Sequence, residues 1–181
     1  LGTDNSGSGH TFTVNNLVAG PTTHAVAGNH GGKDGISFNG TNAVVNLSSS
    51  TDVNPGSGEF TFECYAYSNS STSEFGIYDG SPRVNCSLVI RRVCAGTLIV
   101  ERYNQAFDIT GAAFSQNTWH HVAVTRDSSN NVRLFVDGNQ SGSTSTSNTH
   151  NYSGLFRLGK TNNTFNNGYI SNLSLIKGTE L

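Results

Sequence analysis

Hydrophobic and polar positions alternate along most of this chain, most cleanly between Trp119 and Gly138. Val122 and Val124 fall on one face of an extended segment, and Trp119, His121 and Ala123 fall on the other. After a short polar loop, Val132, Leu134 and Val136 repeat the period. A two-residue period marks a strand with one buried face. Asp137-Gly138 supplies residues that tolerate positive φ, so a tight turn into a third strand is expected there.

The same reading predicts strands near 10–14, 35–39, 43–47, 59–67, 74–78, 85–92, 97–103, 119–126, 132–137, 140–146, 155–159 and 168–177. Turn-rich stretches of Gly, Asn and Ser separate them, and no capped segment shows helical spacing. The class expected is all-β, a two-sheet antiparallel β-sandwich. The segments around Leu88–Val93 and Leu98–Tyr103 are apolar on both faces, which predicts central strands covered on both sides. In the last strand Ile170 is out of phase with Leu173 and Leu175, so either both faces are covered or a bulge sits near Asn172. No repeat, linker or charge block divides residues 1–181, which read as one domain. The chain begins at Leu1 rather than Met, which fits a piece of a larger protein.

Composition narrows the function classes. Only 12% of residues are charged and the net charge is −2, so phosphate-driven binding of nucleic acid has no basis. No apolar run approaches the ~20 residues of a membrane-spanning helix, and no signal-peptide pattern opens the chain. The three cysteines, Cys64, Cys86 and Cys94, are an odd number. Cys64 shares a face with Phe60 and Phe62 and reads as a small buried hydrophobe. Cys86 and Cys94 flank an extended segment too long for a disulfide, so free thiols are expected. No pair has zinc-ligand spacing. The eight N-x-S/T triplets read as a consequence of a chain rich in Asn, Ser and Thr.

Four segments carry a family resemblance. They are Asp4-Asn5-Ser6-Gly7-Ser8-Gly9-His10, Gly35-Ile36-Ser37-Phe38-Asn39-Gly40, Glu59 to Tyr65, and Trp119 to Arg126 with Leu134 to Gly138. Together they resemble a laminin G-like domain of the concanavalin A-like superfamily. Tyr65 stands where that family usually has Trp. The ending from Gly168 to Thr179 is similar to the closing strand of modules in phage virion and bacterial surface proteins. The resemblance implies a jelly roll at a virion surface or outside a cell, without catalysis. It implies a structural or adhesive part of a phage tail, fibre or capsid decoration, with other virion or surface proteins, or copies of itself, as partners. The alternative is a carbohydrate-binding, lectin-like domain; a glycoside hydrolase ranks below both.

The chemistry agrees with a binding role. The resembling hydrolases carry an E-x-D-x-x-E strand, which is missing here. Glu59 and Glu63 share a strand face, but four residues of strand place their Cα atoms ~13 Å apart, long for a glycosidase pair. No G-x-S-x-G elbow presents a serine. His120 and His121 are adjacent in a strand and point to opposite faces, so they cannot share a metal. His10, His24, His30 and His150 fall in loops or at strand ends. The resemblance allows one Ca2+, with Asp4 the first residue to consider and Asp34 and Asp79, each before Gly in a turn, as others. A glycan needs exposed rings beside polar groups. Tyr67, Tyr78 and Tyr103, expected at strand ends, with Arg91, Arg102 and Asn104, are the contacts the sequence suggests. Tyr65, Phe107 and Tyr152 are further rings, and Arg83 and Arg92 further cations.

Overall fold

The computed structural model describes residues 12–15, 35–47, 55–81, 87–103, 107–146, 155–161 and 164–178. The first eight strands are β1 (Phe12–Asn15), β2 (Ile36–Asn39), β3 (Val44–Leu47), β4 (Phe60–Ser68), β5 (Phe75–Ser81), β6 (Leu88–Arg92), β7 (Thr97–Arg102) and β8 (Phe107–Ala113). The rest are β9 (Trp119–Arg126), β10 (Asn131–Val136), β11 (Asn139–Gln140), β12 (Ser145–Thr146), β13 (Leu155–Leu158), β14 (Lys160–Thr161), β15 (Thr164–Phe165) and β16 (Asn167–Lys177). No helix occurs among the described residues.

Two large antiparallel sheets stack face to face. The first runs β1-β3-β13-β5-β6-β7-β8. The second runs β11-β10-β9-β4-β16-β2, with β12 also paired to β10. Strand β4 shows why the sheets stack. Phe60, Phe62, Cys64 and Ala66 point inward and are fully buried, while Glu63, Tyr65 and Tyr67 point outward and are half-buried. Val122 and Val124 of β9 and Val132 and Leu134 of β10 continue the inward face. From the first sheet, Ile90, Leu98, Val100 and Phe156 meet them. The rings of Phe62 and Tyr78 touch edge to face across the sheets, 5.5 Å between centroids. Burying large apolar side chains on both inner faces supplies the main stabilising term.

Local details follow the sequence. Asp137 and Gly138 take φ of 51° and 78°, the turn that pairs Val136 with Asn139. Asn172 takes φ 49°, and the β16–β4 register shifts between Ser171 and Ser174, so a bulge resolves the phase change. Ile170 before it is buried; Leu173 within it is exposed; Leu175 after it packs on the core. Strands β6 and β7 are buried on both faces, as their composition requires, with Val89 and Ile99 closed off on the outward side. The thiol of Cys64 is buried and free, and burial pushes its pKa up. Cys94 is free and exposed; Cys86 lies outside the described residues.

The expected strands need correction in places. The sequence pattern marks neither β8 (Phe107–Ala113) nor the short pair β14–β15, yet β8 forms one edge of the first sheet beside β7. Strand β5 runs to Ser81, three residues past Tyr78, so Tyr78 is interior to its strand rather than at an end.

Candidate functional site

The outward face of the second sheet gathers aromatic side chains from three strands. Register pairs Tyr67 of β4 with Trp119 of β9 on one side and with Tyr169 of β16 on the other. Ring centroids stand 5.5 Å apart for Tyr67–Trp119, 5.7 Å for Tyr67–Tyr169 and 6.3 Å for Trp119–Tyr169. All three rings are half-buried, so each keeps an open surface. One pair further along the same face, Tyr65 lies opposite His121, with ring centroids 4.9 Å apart. His121 Nε2 reaches Glu63 Oε2 at 3.3 Å. The face thus joins an apolar ring platform to a carboxylate, an imidazole and phenolic hydroxyls. That is the combination a sugar ring needs, with its C–H side on aromatics and its hydroxyls on polar groups. Gly168 allows the close approach of β16. A Cβ there would lie 2.0 Å from the Tyr67 carbonyl oxygen, and the residue sits at φ 149°.

A second constellation lies at the same end of β9, on its inward side. His120 is nearly buried and its ring packs on Phe114, 4.7 Å between centroids. Its Nδ1 is 2.7 Å from Asp137 Oδ2 and its Nε2 is 2.8 Å from Ser115 Oγ. A carboxylate only accepts, so Nδ1–H donates to Asp137 and Nε2 is left to accept from the serine hydroxyl. Asp137 is itself fixed, because its Oδ1 accepts the His121 N–H at 2.8 Å. The serine loop is clamped by Arg92, whose guanidinium donates to the carbonyls of Phe114 (3.1 Å), Ser73 (2.9 Å) and Ser71 (2.9 Å). Burial lowers the pKa of Arg92, with the nearby Cys94 acting in the opposite sense.

Residues 39–179 match a laminin G family model described as the Concanavalin A-like lectin/glucanases superfamily. This chain belongs to that superfamily. Solved structures repeat the fold at low identity. The binding domain of botulinum neurotoxin DC in complex with rat synaptotagmin II matches with TM-score 0.71 and 15% identity. The same toxin's binding domain in complex with SialylT matches with TM-score 0.70 and 14% identity. Botulinum neurotoxin type C, whose cell entry depends on interaction with two ganglioside molecules, matches with TM-score 0.69 and 13% identity. Each match covers 98% of this chain and 45% of the toxin chain, so this chain spans less than half of each neighbour. At such identities the likeness is one of fold. No curated protein matches the chain.

On this laminin G framework the residues suggested by the sequence separate. Tyr67 stands at the centre of the ring platform. Tyr78, expected to be open to ligand, is 2% exposed and packs against Phe156 at 4.6 Å; burial and the neighbouring Asp79 push its hydroxyl pKa up. The cause is a register shift between Gly76 and Tyr78, which turns Ile77 and Tyr78 both inward. Arg91 lies in the first sheet, bound to Glu101 at 3.0 Å and to Glu74. Burial acts to lower its pKa, but the bonds and charges of Glu101 and Glu74 outweigh burial and raise it. Arg102, at the end of β7, pairs with Asp108 at 2.8 Å. Tyr103 follows β7 and is half-buried, its N–H bonded to the Ser87 carbonyl at 2.9 Å. These first-sheet residues are on the other sheet from Tyr67 and do not join it in one site.

Asn104, Arg83 and Tyr152 lie outside the described residues, as do Asp4 and Asp34 and the histidines His10, His24, His30 and His150. Asp79, expected in an exposed turn, is instead a fully buried strand residue paired with Arg157 at 2.8 Å. Its charge is already answered, so it does not suit a calcium ion. Among the described residues no three His, Cys, Asp or Glu side chains are grouped to hold a metal. His120 and His121 do point to opposite faces. Sequence reading missed Trp119 and Tyr169 as platform residues and missed the Ser115–His120–Asp137 chain. The Ser115–His120–Asp137 contacts come from a loop, a strand and a turn, which no spacing along the chain reveals.

Proposed function

We propose that this protein is a carbohydrate-binding module that lays a sugar ring on the outward face of its second sheet. The supporting observation is the set of three neighbouring half-open rings, Tyr67, Trp119 and Tyr169, beside His121 and Glu63. Glu63 puts a carboxylate on this face, so a neutral pyranose suits it better than an acidic one. Binding there needs no turnover, and Glu63 is occupied by His121 rather than set against a second carboxylate. The superfamily match and the ganglioside and SialylT named for two structural neighbours are in keeping with glycan recognition. Such a module works outside a cell or on a surface. A structural or adhesive place in a phage virion rests on the resemblance of the sequence alone.

A glycan array with the protein and with Tyr67→Ala tests this. Retention of neutral glycans, weakened about fivefold by the substitution at unchanged melting temperature, is expected, since one ring contact is worth ~1 kcal/mol. Retention unaffected by loss of Tyr67, or no retention of any glycan, contradicts it.

A further inference from the structure

The contacts among Ser115, His120 and Asp137 are those of a serine activated for nucleophilic attack, and we propose that Ser115 is a nucleophile that accepts the acyl group of a small carboxylic ester. The proposal is independent of sugar binding on the opposite face of the strand. Three features carry it. The distances are 2.8 Å from Ser115 Oγ to His120 Nε2 and 2.7 Å from His120 Nδ1 to Asp137 Oδ2, within the reach required of nucleophile, base and orienting acid. The order of exposure fits the roles, with Ser115 open to solvent and His120 only 8% exposed. The imidazole is held by hydrogen bonds at both nitrogens and packs at a tilt against the Phe114 ring, and Asp137 is held by the His121 N–H. Solvation of the Asp137 carboxylate is compatible with a positioning role, since it has only to keep Nδ1 protonated. Arg92, gripping the carbonyl of the residue before Ser115, keeps the loop in place.

In the step itself, Ser115 Oγ forms a bond to the ester carbonyl carbon as its proton passes to His120 Nε2. The ester C–O bond breaks and the alcohol leaves with that proton. Water, deprotonated by the same nitrogen, then releases the acid and restores the serine.

The test uses an alkyl fluorophosphonate, which serine attacks at phosphorus with loss of fluoride and the hydroxyl proton to leave a stable phosphonyl-serine. Intact-mass and peptide mass spectrometry should place one adduct on Ser115. Ser115→Ala should remove it. His120→Gln should slow its formation by about a hundredfold or more, the usual scale of a lost general base, with the melting temperature recorded beside it. If His120→Gln does not fold, the wild-type labelling rate is compared with that of the same chain unfolded in urea. An adduct that forms faster on folded protein and depends on His120 supports the nucleophile. No adduct on Ser115, a rate indifferent to His120, or equal rates folded and unfolded overturns it.

Discussion

Single residues set the shape of the ring platform. Gly168 is the clearest case, because any Cβ would collide with the Tyr67 carbonyl oxygen and sit near the Phe75 ring, 2.9 Å away. Gly168→Ala combines overpacking with an unfavourable φ and should cost about 3 kcal/mol. Chemical denaturation should show the midpoint falling without a large change in slope. Away from the platform, Arg92 of β6 plays the same part for the loop that carries Ser115. Its planar guanidinium serves three carbonyls in a site where it is only 3% exposed. A lysine carries the charge but not the fork, so Arg92→Lys should lose about 2–3 kcal/mol, read from the same denaturation curves. The fate of Tyr78 is a lesson at this scale. Polar neighbours in sequence suggested a strand end, but one extra residue in β5 shifted the phase and sent the ring into the core. Unlike the phase change before Asn172, the shift after Gly76 interrupts no established alternation, so it was not legible from the chain alone.

Among elements, the strands with one apolar face were readable and the edge strand β8 was not. Strands β4, β9 and β10 each carry an alternating row of inward apolar residues, and each lies within a residue or so of where that pattern places it. Strand β8 has Ile109 as its buried anchor and ends in Gly111-Ala112-Ala113, residues of low strand preference. Pairing with β7, not local propensity, makes it a strand. The β9–β10 hairpin carries its own electrostatic support. Asp127 accepts from the N–H groups of Ser129 (2.9 Å) and Asn131 (2.8 Å) and from Asn131 Nδ2 (2.9 Å), and pairs with Arg133 at 3.0 Å. The Asn131 bonds chiefly, with smaller help from Arg133 and Ser129, lower its pKa from 3.8 to about 2. The folded carboxyl therefore binds its proton less readily than the unfolded one. Its stabilising effect is complete above the unfolded value and fades as pH falls toward 2. Thermal melts should show a gap between wild type and Asp127→Ala at pH 7 that narrows by pH 2; a constant gap contradicts the assignment.

At the scale of the whole molecule, the two sheets present unlike outer faces. The first sheet's outward charges are consumed internally, Asp79 by Arg157 and Arg91 by Glu101 and Glu74. The second sheet leaves rings and a His–Glu pair half-open. Sheet register, not sequence proximity, brings Tyr67, Trp119 and Tyr169 together from positions spread over more than half the chain. That explains why one-dimensional reading found Tyr67 but paired it with residues of the other sheet. Trp119 is the single tryptophan of the protein, so its fluorescence reports this face alone. The decisive measurement is a titration of that emission with a neutral oligosaccharide retained on the array, run beside calorimetry. A saturable change in emission with the calorimetric midpoint, lost in Tyr169→Ala, is the predicted result. Calorimetric saturation with no change in Trp119 emission would place the sugar elsewhere and contradict the site.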